Sequence, residues 1–134
     1  MLEQISIFSE NKKGALSRMT GILMDNGFNL QAMIVNDSAE FGIVRFILED
    51  SKRAQKLMED AGYLCHADLV FGVVISDEVG SLHRLLEATT DAGINIDYIY
   101  MSHQRGGNNM IAVFHTQDME GVEEALTWRG YELL

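Results

Sequence analysis

The chain reads as an α+β protein: a βαββαβ unit followed by its repeat, each an antiparallel four-stranded sheet with both helices on one face. Three observations predict it. The stretch Asn11-Lys12-Lys13-Gly14-Ala15-Leu16, running on to Gly27-Phe28-Asn29-Leu30, has the pattern of a strand end, a glycine turn, a helix and entry to a second strand. That stretch recurs 66 positions later, where Gly80, Leu82, Asp91, Gly93 and Asn95 answer Gly14, Leu16, Asp25, Gly27 and Asn29. Past the middle of each half the offset becomes 68, pairing Phe46 with Phe114, Gly62 with Gly130 and Tyr63 with Tyr131. The two extra residues fall in the polar run Gln104-Arg105-Gly106-Gly107-Asn108-Asn109, where an insertion costs least. Identities that keep register on both sides of such an insertion mark a duplication.

Each element follows from local pattern. Gln4 to Ser9, with Ile5, Ile7 and Phe8, reads as a strand. A helix from about Ala15 to Asn26 places Leu16, Met19, Thr20 and Leu23 on one face, with Ala15 and Ile22 beside them. Gly27 ends it, because glycine accepts the left-handed cap. Leu30 to Val35 is a second strand, Asn36 to Glu40 a turn, and Phe41 to Leu48 a third strand. In that strand Phe41, Ile43 and Ile47 oppose Val44, Phe46 and Leu48. Glu49-Asp50-Ser51 offers an N-cap to a helix from Lys52 to Ala61, with Ala54, Leu57, Met58 and Ala61 inward and Gly62 at its end. Tyr63 to His66 is the fourth strand. The second half repeats the order: Leu69 to Ser76, Gly80 to Ala92, Ile96 to His103, Met110 to Thr116, Gly121 to Trp128 and Tyr131 to Leu134. This is the split-βαβ arrangement. His66-Ala67-Asp68 is the junction, so the expected domains are 1–67 and 68–134, rigidly coupled. Units this small need cover for their edges and bare faces, from each other or from a second chain.

Composition narrows the function classes. The 134 residues are 47% apolar, enough to bury a core, and no apolar run approaches the ~20 residues of a membrane span. Met1-Leu2-Glu3-Gln4 lacks the basic and apolar regions of a signal peptide, and a single cysteine, Cys65, allows no internal disulfide, so a cytoplasmic location is expected. The net charge is −10, with −8 of it in residues 67–134. Clustered cations are missing, so a nucleic-acid partner is not expected. His66, His83, His103, His115 and Cys65 have no zinc spacing, and no metal or cofactor is expected. No His, Arg or carboxylate constellation is repeated, which argues against an enzyme. The eight methionines, among them Met19, Met58 and Met110, read as core filler. Tyr98 and Tyr100 share one strand face and read as interface packing.

The repeated turn has a chemistry of its own. Glycine permits a tight turn and close approach of the backbone to a ligand. The first N–H groups of the following helix have no intrahelical acceptor, and with the helix dipole they favour a carboxylate or phosphate. Asn29 and Asn95, at the far end of each helix, carry an amide that both donates and accepts, which suits the mixed head of an α-amino acid.

Asn-Lys-Lys-Gly-Ala-Leu-Ser-Arg-Met, leading to Asp-Asn-Gly-Phe-Asn-Leu, resembles an ACT domain, the regulatory amino-acid-binding module, whose pattern is Asp or Asn, two residues, Gly, one residue, Leu, then Gly-x-Asn-Ile. The first copy is similar to the N-terminal part of acetolactate synthase regulatory subunits, and Asp77 to Ile96 fits nearly as well. The resemblance covers the whole chain as two tandem units and leaves no room for a catalytic domain. It implies a ferredoxin-like fold and a free amino acid as ligand; a homodimer and a partner among amino-acid metabolic enzymes are expected with it. It also implies a site where two units meet. Carried over residue by residue, that site is Asn11, Lys12, Lys13, Gly14, Ala15, Leu16, Asn29 and Leu30, with Asp77, Glu78, Val79, Gly80, Ser81, Leu82, Asn95 and Ile96 in the second copy. Most family members have proline before the glycine; Lys13 and Val79 stand there instead, so ordering the loop on binding costs more. Lys12 and Lys13 make the first turn basic, whereas Asp77 and Glu78 make the second acidic, and the first is expected to hold a carboxylate better. A ferredoxin-like enzyme and a purely structural assembly subunit are the competing readings. The apolar neighbours Ala15, Leu16, Leu30 and Ile96 lean toward an apolar or aromatic amino acid.

Overall fold

Alternating apolar residues make the strands and a 3.6-residue apolar stripe makes the helices, and each finds its partner in the other. The computed structural model describes residues 1–36 and 41–134. From Asp37 on, the turn expected over Asn36–Glu40 lies outside them. The order is β1 (Leu2–Glu10), α1 (Ala15–Asp25), β2 (Ala32–Asn36), β3 (Phe41–Ile47), α2 (Ser51–Asp60), β4 (Cys65–Ile75), α3 (Ser81–Asp91), β5 (Tyr98–His103), β6 (Met110–His115), α4 (Val122–Trp128) and β7 (Glu132–Leu133). The protein is α+β, with antiparallel strand pairing. By its internal contacts the chain divides into Glu3–Leu69 and Met1–Leu2 with Val70–Leu134. One expectation is corrected. Tyr63–His66 and Leu69–Ser76 are not two strands with a junction between them; Cys65–Ile75 is a single strand through His66-Ala67-Asp68. The alternating apolar pattern simply continues across the three polar or small residues.

In Glu3–Leu69, β3 lies between β1 and β2. Ile5 faces Phe46 and Ile7 faces Val44 across the β1–β3 pair, and Met33 and Val35 face the same two residues from β2. The period of two sends Ile5, Ile7, Val44 and Phe46 to one face, where Met19 and Leu23 of α1 and Ala54 and Met58 of α2 bury them. Both helices therefore sit on one face. Each of these side chains larger than alanine contributes roughly 1.5–3 kcal/mol on burial. Met1–Leu2 with Val70–Leu134 repeats the plan. Phe71 faces Phe114 and Val73 faces Ala112, and Leu85, Ala88, Val122 and Leu126 cover them from α3 and α4. Here β4 is flanked by β6 and by β7, and β5 pairs with β6.

The four helices of the described residues stop by the same device. After α1, Gly27 takes φ +81°, its N–H donates to Met24 O and that of Phe28 donates to Leu23 O, both at 3.0 Å. This double bond satisfies two carbonyls the helix end would leave open, and the buried Phe28 packs in the cluster that holds Leu23. Gly62-Tyr63, Gly93-Ile94 and Gly130-Tyr131 make the same pair of bonds at the ends of α2, α3 and α4.

The starts differ. Gly14, Gly80 and Gly121 precede α1, α3 and α4 at φ +84°, +89° and +77°. Before α2 the residue is Asp50, held left-handed at φ +59°; its side chain accepts from Arg53 but caps no backbone amide of the helix. The cap read into Glu49-Asp50-Ser51 is supplied from elsewhere. The Glu3 carboxylate of β1 accepts from Asp50 N and Ser51 N, each at 3.2 Å, and from Ser51 Oγ at 3.0 Å. Those bonds, led by the Ser51 amide, hold Glu3 below its ordinary pKa of 4.5.

Candidate functional site

The first glycine turn leaves its helix end open. Lys12 N–H donates to Glu10 O, Ala15 N–H to Lys12 O, and Arg18 N–H to Gly14 O, which wraps the chain around Gly14. Among the described residues no side chain caps α1, and none stands within 4 Å of where a Cβ on Gly14 would be. The amides of Leu16 and Ser17 lie in the first turn, where no intrahelical acceptor exists. The carboxylate that Glu3 places on α2 shows that this fold holds an acid group at a helix start.

Two hollows border this turn. The smaller, about 290 Å³, is lined by Asn11, Lys12, Ala15 and Leu16 of the turn with Ser9 and Glu10, and by Val35, Gly42 and Val44 of β2 and β3. The larger, about 710 Å³, shares Ser9, Glu10, Lys12 and Ala15, and extends past Phe8 and Arg18 to Phe41 and to Gly62, Tyr63 and Leu64. Lys12 Nζ lies 2.8 Å from Glu10 Oε2 on the shared rim, and this ammonium, by hydrogen bond first and charge second, lowers the Glu10 pKa. Leu16, read as a core position, is 39% exposed; it lies on the hollow side of α1 while Met19 and Leu23 take the core. Asn29 is exposed, Leu30 packs against the core of Glu3–Leu69, and neither lines these two hollows. Lys13 and Gly14 are exposed at the turn without lining them.

The second turn has the same backbone pattern. Ser81 N–H donates to Glu78 O and Arg84 N–H to Gly80 O, as in the first copy. Its side chains knit together. Arg84 donates to Ser81 Oγ at 3.3 Å, Ser81 and Ser76 hydroxyls meet at 2.6 Å, and Ser76 donates to Glu78 Oε2 at 3.3 Å. With Ser76 spending its proton on Glu78, Ser81 is the donor to Ser76, and the chain runs unbroken from guanidinium to carboxylate. A guanidinium nitrogen lies 2.9 Å from the place of a Cβ on Gly80. Asp77 and Leu82 are exposed, Val79 wholly so, Asn95 is exposed and Ile96 packs against the second core.

Arg18 and Arg84 are 66 positions apart, the offset of the repeat, and so are Ala15 and Ser81, and Glu10 and Ser76. Without the two hydroxyls, Arg18 turns away from its helix start and donates to Tyr63 Oη at 2.8 Å and to Ala61 O at 3.4 Å. That comparison was available in the sequence and marks Arg18 and Glu10 as site residues; Tyr63 comes only from the Arg18 bond, and Val35, Gly42 and Val44 only from the sheet register.

Other reactive groups are quiet. Burial, with a smaller push from Glu59, raises the Cys65 thiol to about 11. His66, His83 and His115 each face a carboxylate, those of Asp68, Glu87 and Asp97. Among the described residues no three His, Cys, Asp or Glu side chains converge on a metal position. Met19 and Met58 are fully buried, but Met24 and Met33 are 69% and 51% exposed and are not core filler.

A family profile described as an ACT domain pair matches residues 1–132. The chain belongs to the ACT domain family. A crystal structure of a Bacteroides thetaiotaomicron protein is 30% identical, covering 99% of this chain and 91% of its own, with a TM-score of 0.89. The regulatory subunits of aspartate kinase from Thermus thermophilus and Thermus flavus share the fold at 16% and 18% identity, with TM-scores of 0.71 and 0.70. They cover 94% and 95% of this ACT pair and 89% and 90% of their own chains. No curated protein sequence matches it.

Proposed function

We propose that this ACT domain pair is a non-catalytic regulatory protein that binds a free amino acid at the first glycine turn. The carrying observation is the contrast between the copies: one turn opens onto a hollow, whereas at the other, whose helix start also lacks a side-chain cap, Arg84, Ser81, Ser76 and Glu78 are bonded to one another. The ligand carboxylate accepts from the Leu16 and Ser17 amides beside Lys12. Its apolar side chain lies along Leu16, Val35 and Val44. A second copy of the chain closes the outer wall, and binding shifts the packing of that homodimer, which an amino-acid metabolic enzyme reads. A ligand drives such a shift only by its difference in affinity for the two states. The two Thermus proteins of this fold are regulatory subunits of aspartate kinase, which supports the partner class.

A thermal-shift screen of the twenty amino acids tests the reading, followed by calorimetry on the parent, Gly14→Asp and Gly80→Asp. Aspartate tolerates positive φ better than most residues, and its carboxylate would oppose the ligand's. One or a few apolar amino acids should raise the Tm. Gly14→Asp should weaken binding about tenfold or more, and Gly80→Asp less than about twofold. Equal losses would overturn the choice of turn, and no response to any amino acid would overturn the ligand class.

A further inference from the structure

The repeated arginines are balanced differently. Arg84 reaches the Glu78 carboxylate through two serines. Among the described residues Arg18 donates to uncharged acceptors, the Tyr63 hydroxyl and the Ala61 carbonyl, with its guanidinium 5.0 Å from the Tyr63 ring centre. Among the described residues no carboxylate pairs with it; Glu10, nearest along the rim, is taken by Lys12. Beside Ser9, Glu10, Lys12 and Ala15, the larger cleft that Arg18 lines has large apolar side chains left in water: Phe8 is 48% exposed, Phe41 55% and Leu64 70%. At about 710 Å³ it is within the size range of small-molecule sites, well above the hollow assigned to the amino acid.

We propose that this cleft binds a monocarboxylate with an apolar, preferentially aromatic, body, its carboxylate on Arg18 and its body against Phe8 and Leu64. Two of the five guanidinium N–H groups are engaged, one on each terminal nitrogen, so three remain to donate to a carboxylate. Tyr63 holds the fork in place before the ligand arrives, which cuts the entropy lost on binding. Covering the exposed phenyl and leucyl groups supplies the apolar part of the affinity. Dianions and polyphosphates are disfavoured, because the Glu10 carboxylate stands on the rim and the whole chain carries −10. The inference rests on Arg18 and Tyr63 and not on the amino-acid reading, and the two fail separately.

The test uses phenylacetate and its neutral isostere phenylacetamide, titrated into the full chain by calorimetry and by amide chemical-shift mapping, with Arg18→Gln, Tyr63→Phe and Arg84→Gln beside the parent. Phenylacetate should bind and move the amides of Phe8, Tyr63 and Leu64. Arg18→Gln should weaken it about tenfold, Tyr63→Phe by less, and Arg84→Gln not at all. Gly14→Asp, which removes the amino-acid response, should leave phenylacetate binding within about twofold. The proposal is overturned if phenylacetamide binds as well as phenylacetate, if Arg84→Gln costs as much as Arg18→Gln, or if the shifted amides lie elsewhere. Absence of binding at millimolar phenylacetate overturns it too.

Discussion

Gly14, four residues before Arg18, and Gly21, three after it, behave oppositely. Gly14 sits at φ +84°, where a Cβ meets no neighbour but the backbone itself disfavours any L residue. Gly14→Ala should cost about 1–2 kcal/mol. Gly21 lies inside α1, also with nothing within 4 Å of an added Cβ. There Gly21→Ala should stabilise by about 0.5–1 kcal/mol, because alanine has less chain entropy to lose. Urea denaturation of the two variants checks both signs at once. The glycines were legible as turn and cap residues from their spacing. What was not legible was which turn stays open, since that depends on where Arg18 and Arg84 swing, and their directions are set by Tyr63 on one side and Ser81 on the other.

At the scale of elements, α2 depends on a carboxylate from another strand. Glu3→Gln removes the charge from three bonds to Asp50 and Ser51. The expected loss at pH 7 is about 0.5–1 kcal/mol, kept small by solvent screening of a half-exposed group. Since the folded pKa is below 4.5, the stabilisation is full above that value and disappears as pH falls through the lowered one. Parent and variant should therefore differ in Tm at pH 7 and converge in acid. Arg53 joins the same helix to the end of α1: its guanidinium lies 4.0 Å from the Phe28 ring centre, donates to Asn26 O at 3.3 Å and pairs with Asp50 at 3.0 Å. Arg53→Lys should lose about 0.5–1 kcal/mol, because an ammonium cannot stack and fork together. Helix positions were read from sequence to within a residue or two, as were the strands of each β3-type ladder. The cap by Glu3 was invisible, because its partners are 47 and 48 residues away. The merging of two expected strands into Cys65–Ile75 was missed because His66-Ala67-Asp68 looks like a linker and pairs like a strand.

At the scale of the molecule, the duplication is visible in paired cores. Phe46 and Phe114, 68 positions apart, are both fully buried in the equivalent ladder position of their units. Phe46→Ala and Phe114→Ala should each destabilise by about 3–5 kcal/mol, read by urea denaturation followed with circular dichroism. Tryptophan fluorescence is the wrong probe, because Trp128 is 82% exposed in the fold and changes little on unfolding. The fold was legible because periodicity and the repeat agree at every level. The site was legible only as far as the turn, because the hollows beside it are made by β2, β3 and Tyr63.

The buried Cys65 thiol also makes the protein convenient to watch. With its proton held to about pH 11, the chain's one sulfhydryl stays silent toward maleimides in neutral buffer. A cysteine introduced at exposed Ser17 or Leu64 would then carry the only dye, so turn and cleft are each open to single-site fluorescent labelling without first removing anything native.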